Sequence, residues 1–356
     1  MQEPPLIMTS STSPRRSVLV TGAAGEIGHG LIASMRDDDV SIVAMDLREV
    51  PKETRSLCDA VHMGDVCDKD FIEHVLTMHE TNEIYHLAAL LSSRAEHVPE
   101  TAHDVNVQGT FHLLRLAARL GESWGSRVKF VFPSTIAVYG IRTLDEKMRC
   151  GELRENEHLS PITMYGANKL YCESLGRYYS RHYRQVSKNR PQHLLDFRCL
   201  RLPGVIAADT RPSGGTSDFV PEMLHASAKG EAYECFVRED TAIPWMTMPE
   251  CVDALVRIAQ IDEPEHAVYN IGSFSASAGD FARLIPQYFP GADISFKPDE
   301  GRQALVDTWP RDVDCSSARR DWGFKQRWGL EAAMEEYIIP SIQKHYDSPA
   351  AGRTSS

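Results

Sequence analysis

Tyr165 and Lys169 are the two residues of this sequence whose types and spacing most clearly suggest chemistry. They are four positions apart, so in a helix both side chains lie on one face. A phenol has a pKa near 10, and lowering it by about two units, which requires about 3 kcal/mol from a nearby positive charge, makes it a usable base. The spacing therefore predicts a proton acceptor for a substrate hydroxyl. Alone the pair is a weak signal, because Tyr and Lys are common on exposed helix faces.

Ser134 and Thr135 follow an apolar run, 128–132, that has the composition of a buried strand. We expect Thr135 to hold the substrate oxygen while Tyr165 accepts the hydroxyl proton, as in the oxidation of an alcohol. The carbinol carbon then gives up a hydride, so the reaction needs a cofactor that accepts it.

A glycine-rich segment predicts where that cofactor binds. Gly22, Gly25 and Gly28 follow the first apolar run and open a helical segment, with the spacing GxxGxxG. They permit, in order, a tight turn, a close approach of the backbone to a pyrophosphate, and close packing of helix on sheet. The first turn of the helix, with Glu26 and Ile27, presents unpaired N–H groups to the anion. Because glycine triplets also occur in ordinary turns, the neighbouring residues decide between the two interpretations.

Asp46 ends the second apolar run, about 20 residues after the glycines, where an acid accepts hydrogen bonds from the adenosine ribose hydroxyls. An ionised carboxylate there repels the 2′-phosphate of NADP, so the predicted cofactor is NAD. Arg48, two residues later, would soften that exclusion. The alternative role of Asp46 is to cap a turn or a helix.

Two further segments are predicted to contact the cofactor. The carboxylate of Asp65 and the backbone at Val66 would meet the adenine. Asp65 would otherwise cap the helix that begins near Asp68. After the fourth apolar run, which ends at His86, small residues would let ribose and nicotinamide lie against the backbone, or would only aid packing. This segment contains Leu87, Ala88 and Ala89.

These residues need a scaffold, and the sequence predicts an α/β one. Apolar runs alternate with longer segments of helical period, which indicates a Rossmann-type doubly wound parallel sheet with helices on both faces. Helices are expected over Asp104–Leu120 and Tyr165–Tyr183. The strand-like runs are 17–20, 41–45, 83–87, 128–132 and 195–202.

The sequence also predicts how the domains are arranged. An NAD-binding domain is expected over 17–203, and a smaller α/β substrate-binding lobe mainly over 204–346, which can be interleaved with the first. Residues 1–16 and 347–356 have too little apolar content to repay ordering and are predicted to be mobile tails.

Composition excludes several classes of function. The chain has 50 acidic and 38 basic residues, a net charge of -12, so neither nucleic acid nor a membrane surface is expected as a partner. Eight single cysteines without a CxxC pair indicate reduced thiols and a cytoplasmic protein. No HExxH motif and no close His/Cys cluster is present, so no metal is expected.

Four segments taken together resemble the extended short-chain dehydrogenase/reductase family: Thr21–Gly28, His86–Ala89, Pro133–Gly140 and Tyr165–Lys169. The resemblance implies that Thr135, Tyr165 and Lys169 are catalytic. It also implies that Asn106, Tyr165, Lys169 and Pro203 contact NAD. It also implies a homodimer.

Three later segments, 202–209, 214–219 and 302–310, are similar to the short-chain L-threonine 3-dehydrogenases of that family. This similarity implies oxidation of L-threonine to 2-amino-3-oxobutanoate, with Tyr165 as the general base. The loop Gly214–Thr216 offers backbone N–H groups and a hydroxyl, which suit the carboxylate of an amino acid. The alternative is a mobile loop without a binding role. The expected substrate contacts are Ser92, Thr135, Tyr165, Gly215 and Thr216.

The chain departs from that pattern in three places. The segments 141–163 and 184–193 are charged insertions that would reshape the entrance of the site. At 243–247 the sequence is Ile-Pro-Trp-Met-Thr where Leu-Pro-Met-Met-Tyr is expected, which places Trp245 and Thr247 at the substrate pocket. Trp245 would otherwise be a core residue.

Two other functions compete with this one. A nucleotide-sugar 4-epimerase or dehydratase shares the NAD site and needs a basic site for a diphosphate. Candidates for that site are Arg201, Arg211, Arg238 and Arg302. A cofactor-binding regulator without catalysis typically lacks the Tyr or the Lys, and both are present here.

Overall fold

The computed structural model describes residues 16–36, 39–188, 194–212 and 214–347. Its strands are β1 Arg16–Thr21, β2 Val40–Asp46, β3 Ala60–Met63, β4 Glu83–His86, β5 Val128–Thr135, β6 Glu152–Leu153, β7 Leu195–Leu202, β8 Gly204–Ile206, β9 Tyr233–Cys235, β10 Ala242–Thr247, β11 Val268–Asn270, β12 Phe274–Ser277, β13 Ile294–Phe296 and β14 Asp312–Val313.

The α-helices are α1 Glu26–Ser34, α2 Lys52–Arg55, α3 Lys69–Met78, α4 Ser92–His97, α5 Pro99–His103, α6 Thr110–Trp124, α7 Leu144–Arg149, α8 Met164–Arg181, α9 Phe219–Lys229, α10 Met248–Gln260, α11 Ala278–Tyr288, α12 Glu300–Asp307, α13 Ser316–Trp322, α14 Leu330–Ala333 and α15 Ile339–Asp347. Two π-helical segments, Asp104–Gly109 and Met334–Ile338, precede α6 and α15, and a 3₁₀ turn at Ile136–Val138 follows β5.

In the described part of the chain, seven parallel strands form the main sheet in the order β11-β7-β5-β4-β1-β2-β3. The predicted fold class, a Rossmann-type doubly wound sheet, is confirmed. Along the chain, β2 and β3 are added on one side of β1, and β4 is then added on the other side of β1. Such a reversal opens a crevice at the carboxyl ends of β1 and β4, where ligands of this fold bind.

Alternating side chains of β1 build a core on each face of the sheet. Val18 and Val20 pack on the face that also carries Leu31 of α1 and Leu255 of α10. Leu19 points to the opposite face, in the core formed with α3, α6 and α8. All three β1 side chains are fully buried, as expected of a central strand in a sheet covered on both sides.

The second lobe contains the three-stranded sheet β12-β10-β8. The strand that follows β10 in the chain belongs instead to the main sheet. That strand, β11, pairs with β7, so the two lobes are interleaved in sequence. The charged segment 141–163 contributes α7 and β6, and β6 pairs with β14. Residues 189–193 of the other charged segment lie outside the described residues.

The predicted tails lie almost wholly outside the described residues, which begin at Arg16 and end at Asp347. Arg16 was assigned to the amino-terminal tail, and this boundary is wrong by one residue. Arg16 is the first residue of β1, and its guanidinium binds the carboxylate of Glu83 at 2.6 Å. Among the helices of the described ranges, none is both long and apolar enough to cross a membrane.

Candidate active site

Tyr165 lies in the first turn of α8, beside the carboxyl end of β5. Thr163 caps this helix, because its Oγ1 accepts a hydrogen bond from the N–H of Gly166 at 3.0 Å. Gly166 must be glycine, since a Cβ there would be 2.1 Å from the carbonyl oxygen of Ala137 in the turn after β5. The local sequence thus sets the start of α8 against β5 and thereby positions Tyr165.

Lys169 lies one helical turn after Tyr165 and is almost fully buried. Its Nζ donates a hydrogen bond to the carbonyl of Pro133 at 2.7 Å and lies 5.8 Å from the centre of the Tyr165 ring. Thr135 ends β5, and its Oγ1 accepts a hydrogen bond from the N–H of Ala137 at 3.1 Å. The three side chains predicted to be catalytic therefore line a single pocket.

On balance, the groups around Tyr165 in the described, ligand-free chain do not lower its pKa. Burial raises the pKa of Tyr165 well above its usual value, and a hydrogen bond with Thr135 opposes this only in part. Burial also lowers the pKa of Lys169 to about 8, which weakens the positive charge near the phenol. Bound NAD would place a further positive charge, that of the nicotinamide ring, beside the Lys169 ammonium and so would favour the ionised phenol.

The glycine turn leads from β1 into α1 at the crevice. Gly22 has a φ of +72°, and a Cβ there would be 2.7 Å from the backbone nitrogen of Ala88. A Cβ on Gly28 would be 2.6 Å from the carbonyl oxygen of Gly22, so both positions require glycine. Gly25 is the N-cap of α1 without a side-chain cap, and among the described residues a Cβ there would meet only that same oxygen, at 3.2 Å. The open first turn of α1 fits the pyrophosphate of NAD.

Asp46 ends β2 next to this turn and is 8% exposed. Its Oδ2 accepts a hydrogen bond from the N–H of Ala24 at 2.9 Å, and its Oδ1 accepts one from the N–H of Arg48 at 2.9 Å. Asp46 can therefore cap the turn and also bind the ribose of the cofactor. The carboxylate fixes the glycine turn, and each oxygen keeps a lone pair for a ribose hydroxyl.

We expect Asp46→Asn to weaken NADH binding about tenfold and to reduce discrimination against NADPH. The reason is that a hydrogen bond to a charged acceptor is stronger by about 1–2 kcal/mol than one to a neutral acceptor. Fluorescence titration with NADH and NADPH measures both effects. Asp59→Asn is the matched control, since Asp59 accepts a backbone hydrogen bond from Ile42 at 2.9 Å in a different loop. Equal losses in both variants would contradict a cofactor role for Asp46.

Asp65 and Asn106 are bound to backbone groups around the adenine and ribose region. Oδ1 of Asp65 accepts a hydrogen bond from the N–H of Cys67 at 2.8 Å. The alternative that Asp65 caps the next helix is wrong, because Asp68 caps α3. The side-chain amide of Asn106 bonds both backbone groups of Leu90, at 2.8 and 3.0 Å. Asn106 thus orients the segment after β4, and its contact with the cofactor stays a prediction.

One pocket between the lobes brings together many of the predicted site residues. These are Glu26, Ile27, Leu87, Ala89, Ser92, Thr135, Tyr165, Lys169, Pro203 and Gly215. The side chain of Val66 is almost fully buried and packs against Gly109. A Cβ on Gly109 would be 2.8 Å from that side chain. Val66 can therefore offer a ligand its backbone more readily than its side chain.

The predicted substrate contacts at Trp245 and Thr247 are wrong. Trp245 is fully buried between the rings of Phe219 and Phe281, and its Nε1 donates to the carbonyl of Ala276 at 3.1 Å. It packs against Gly204 of the neighbouring strand β8, where a Cβ would be 2.5 Å from the indole. Thr247 is also fully buried and caps α10. Both residues therefore belong to the core of the second lobe.

Thr216 also does not line the pocket, which corrects its predicted direct contact with substrate. It is 1% exposed, and its Oγ1 lies 3.2 Å from Oγ of Ser93. Its N–H donates to Oγ of Ser92 at 3.4 Å. Thr216 thus lies behind Ser92 and orients its hydroxyl, which does line the pocket.

Trp309 is a pocket residue that the sequence did not single out, although it lies in the segment 302–310. Its indole Nε1 is buried and has no hydrogen-bond partner among the residues that the structure describes. A buried N–H without a partner costs about 1–3 kcal/mol, and this one reaches an acceptor on a ligand only if the indole moves slightly, because the nitrogen itself is not accessible from the pocket. The sequence signal that could have identified Trp309 is its place next to Pro310 in a segment that resembles the family.

A buried ion pair behind the catalytic residues was also not predicted. Glu173 of α8 and Arg201 of β7 have fully buried side chains and share two hydrogen bonds, at 2.9 and 2.7 Å. Oγ of Ser134 donates to the same carboxylate at 2.6 Å. The pair therefore ties the helix that carries Tyr165 to strands β5 and β7.

Comparison with known proteins agrees with this geometry. The family model of the NAD dependent epimerase/dehydratase family matches residues 18–272. The mitochondrial L-threonine 3-dehydrogenase of Bos taurus is 30% identical over 324 residues, which cover 90% of this chain and 81% of that protein. The solved L-threonine dehydrogenase of Phytophthora infestans is 31% identical with a TM-score of 0.79, over 93% of this chain and 100% of that one.

A solved partial consensus L-threonine 3-dehydrogenase is 29% identical with the same TM-score of 0.79, over 93% of this chain and 99% of that one. The resemblance to the extended short-chain dehydrogenases/reductases is thereby confirmed, and so is NAD as the cofactor. This chain belongs to the NAD dependent epimerase/dehydratase family and is an NAD-dependent oxidoreductase.

Proposed function

We propose that the protein oxidises the secondary alcohol of L-threonine to 2-amino-3-oxobutanoate and thus acts in amino-acid catabolism. One observation carries this proposal. Thr135, Tyr165 and Lys169 line one pocket together with Ser92, Gly215 and Trp309. A small substrate with a hydroxyl at one end and a carboxylate at the other matches these two groups of residues. The similarity over 90% of the chain to a protein named L-threonine 3-dehydrogenase supports the same substrate.

The residues act as follows in this proposal. Thr135 donates a hydrogen bond to the substrate oxygen, and Tyr165 accepts the hydroxyl proton as general base. Lys169, held by the Pro133 carbonyl at 2.7 Å, stabilises the phenolate that accepts the proton. Bound NAD would supply the acceptor for the hydride that leaves C3 of the substrate. One proton and one hydride leave the alcohol, and a ketone remains.

The carboxylate of the substrate is proposed to bind at the far wall. Ser92 already accepts a hydrogen bond from Thr216 at 3.4 Å, so its own proton is available to donate. Nε1 of Trp309 is proposed as a second donor, which a small movement of the indole ring would bring to the carboxylate. Arg302 holds the Gly215 loop through its carbonyl at 2.7 Å and so helps to fix this wall.

A nucleotide-sugar epimerase or dehydratase is less well supported. Its diphosphate needs basic side chains, and three of the four predicted arginines are bound elsewhere. Arg201 is paired with Glu173, and Arg238 is paired with Asp307 at 2.8 Å. Arg302 lies over the ring of Phe236 and bonds the Gly215 carbonyl. A regulator without catalysis is disfavoured because Tyr165 and Lys169 are both in place.

NADH absorbance tests the proposal. Purified protein with NAD is mixed separately with L-threonine, D-threonine, L-serine, other 3-hydroxy acids and UDP-sugars. We expect rapid reduction of NAD with L-threonine and at most slow reduction with the others. Epimerisation of a UDP-sugar forms no net NADH, so the sugar nucleotides are also separated by chromatography. Epimerisation without reaction of L-threonine would overturn the assignment and leave the NAD site intact.

We expect Trp309→Phe to raise the KM for L-threonine about tenfold, with a smaller change in kcat. The substitution keeps an aromatic wall and removes only the unpartnered N–H, whose hydrogen bond to a charged acceptor is worth about 1.5–3 kcal/mol. Steady-state kinetics at saturating NAD measure the change. Trp328→Phe is the control, since that indole bonds Glu336 at 2.9 Å on a different part of the second lobe. An unchanged KM for Trp309→Phe would remove Trp309 from the substrate site.

The chain is also proposed to form a homodimer through α6 and α8. The α8 surface exposes Tyr171 and Tyr178, by 52% and 41%, and α6 exposes Trp124 at its end. Light scattering during gel filtration would give twice the monomer mass. We further propose a cytoplasmic location, which the eight free cysteines support. The name of the bovine relative places that protein in mitochondria.

A further inference from the structure

Glu26 connects the glycine turn to the second lobe. It is the first residue of α1, directly after the N-cap Gly25, and its side chain faces the pocket. Its Oε1 accepts a hydrogen bond from Oγ1 of Thr210 at 2.6 Å, across 184 positions of sequence. Thr210 lies on the loop between β8 and α9. The bond therefore spans the groove in which the cofactor binds.

The groups around Glu26 are mostly acidic. Asp209 and Asp218 of the same loop act on its carboxylate as like charges. Tyr337, from the π-helical segment before α15, also faces Glu26 and Asp209. Although the Glu26 side chain keeps an exposed surface, partial desolvation by the surrounding groups and the charges of the two aspartates raise its pKa above the usual value, against the effect of the Thr210 hydroxyl. The positive end of the α1 dipole is what favours a negative charge here.

The pyrophosphate of NAD needs the same dipole. The first N–H groups of an α-helix have no acceptor within the helix, and in this fold they bind the pyrophosphate. An ionised carboxylate on the first residue of α1 therefore repels the ligand that uses its backbone. A protonated carboxyl group does not, and it can still bond Thr210 by donating to Oγ1 instead of accepting from it.

We propose that Glu26 is a proton-linked determinant of cofactor affinity, which takes up a proton when a pyrophosphate binds at the α1 amino terminus. The direction of the pH dependence follows from thermodynamic linkage. Because the bound pyrophosphate favours the protonated form, lower pH must favour the bound pyrophosphate by the same factor. Affinity therefore rises as pH falls from 8 towards 5.5. The Thr210 bond persists in both states, so the lobes stay connected.

Calorimetric titration with ADP-ribose tests this proposal on the full chain. ADP-ribose has the pyrophosphate but no nicotinamide ring, so Tyr165 and Lys169 do not enter the measurement. We expect the wild-type Kd to fall about tenfold between pH 8 and pH 5.5. Net proton uptake should appear as a dependence of the heat on buffer ionisation. Adenosine, without phosphates, should bind with no such dependence on pH.

Glu26→Gln is the decisive variant, because Gln keeps the hydrogen bond to Thr210 and removes the charge. It should bind ADP-ribose about tenfold more tightly than the wild type at pH 8, with a Kd that no longer depends on pH. Glu122→Gln, which removes one exposed charge from α6, should behave as the wild type does. Unchanged affinity of Glu26→Gln at pH 8, or an undiminished pH dependence, would overturn the proposal.

Discussion

Tyr165→Phe is expected to reduce kcat for L-threonine about a thousandfold, because the variant has no group to accept the hydroxyl proton. Binding of NADH should change little, since Phe keeps the ring near Lys169, whose Nζ lies 5.8 Å from its centre. Steady-state kinetics and fluorescence titration separate the two effects. Tyr171→Phe on the same helix is the control, because that side chain is 52% exposed and outside the pocket.

Two results would contradict the role of Tyr165. One is a variant that keeps more than about a tenth of the activity, since general-base catalysis contributes at least about a hundredfold. The other is an equal loss of NADH affinity, which would mean that the substitution disturbs the site as a whole. A loss confined to kcat is the predicted result.

Glu173→Ala is expected to reduce the free energy of unfolding by about 3–5 kcal/mol. The substitution leaves the fully buried Arg201 without its carboxylate and removes the acceptor of the Ser134 hydroxyl. An unpaired buried charge is among the costliest defects in a protein. Equilibrium unfolding in urea measures the change.

Two further variants separate the buried pair from its surroundings. Arg177 also approaches Glu173, at 3.9 Å, but is partly exposed, so Arg177→Ala should cost less than about 1 kcal/mol. Replacing both partners by apolar residues, Glu173→Leu with Arg201→Met, should recover part of the loss. A cost below about 1 kcal/mol for Glu173→Ala would show that Arg201 finds another partner or water.

Features that depend on local sequence were predictable. The turn at Gly22, the close contact at Gly28 and the helix with Tyr165 and Lys169 follow from residues a few positions apart. The five predicted strands appear with boundaries shifted by at most three residues. Their alternation with helices was sufficient to predict the doubly wound sheet.

The errors concern contacts between distant segments. Trp245 and Trp309 both adjoin a proline, yet the first is enclosed by Phe219 and Phe281 and the second lines the pocket. Only the packing of the second lobe distinguishes them. Thr247 is different, because its spacing from Glu250 is that of a capping box, and this signal was readable.

The Glu173–Arg201 pair illustrates a further limit. Glu173 lies four positions after Lys169 on α8, where an acid usually faces solvent. Its burial follows from Arg201 on β7 and Ser134 on β5, two strands that become neighbours only in the folded sheet. One sequence carries no sign of that pairing.

The most direct test of the account uses L-threonine with deuterium at C3. The protein is incubated with this substrate and NAD, and the reduced cofactor is analysed by mass spectrometry. The account predicts that each NADH formed carries one deuterium and that Tyr165→Phe forms almost none. NADH without deuterium, or no NADH at all, would contradict the proposed hydride transfer from C3.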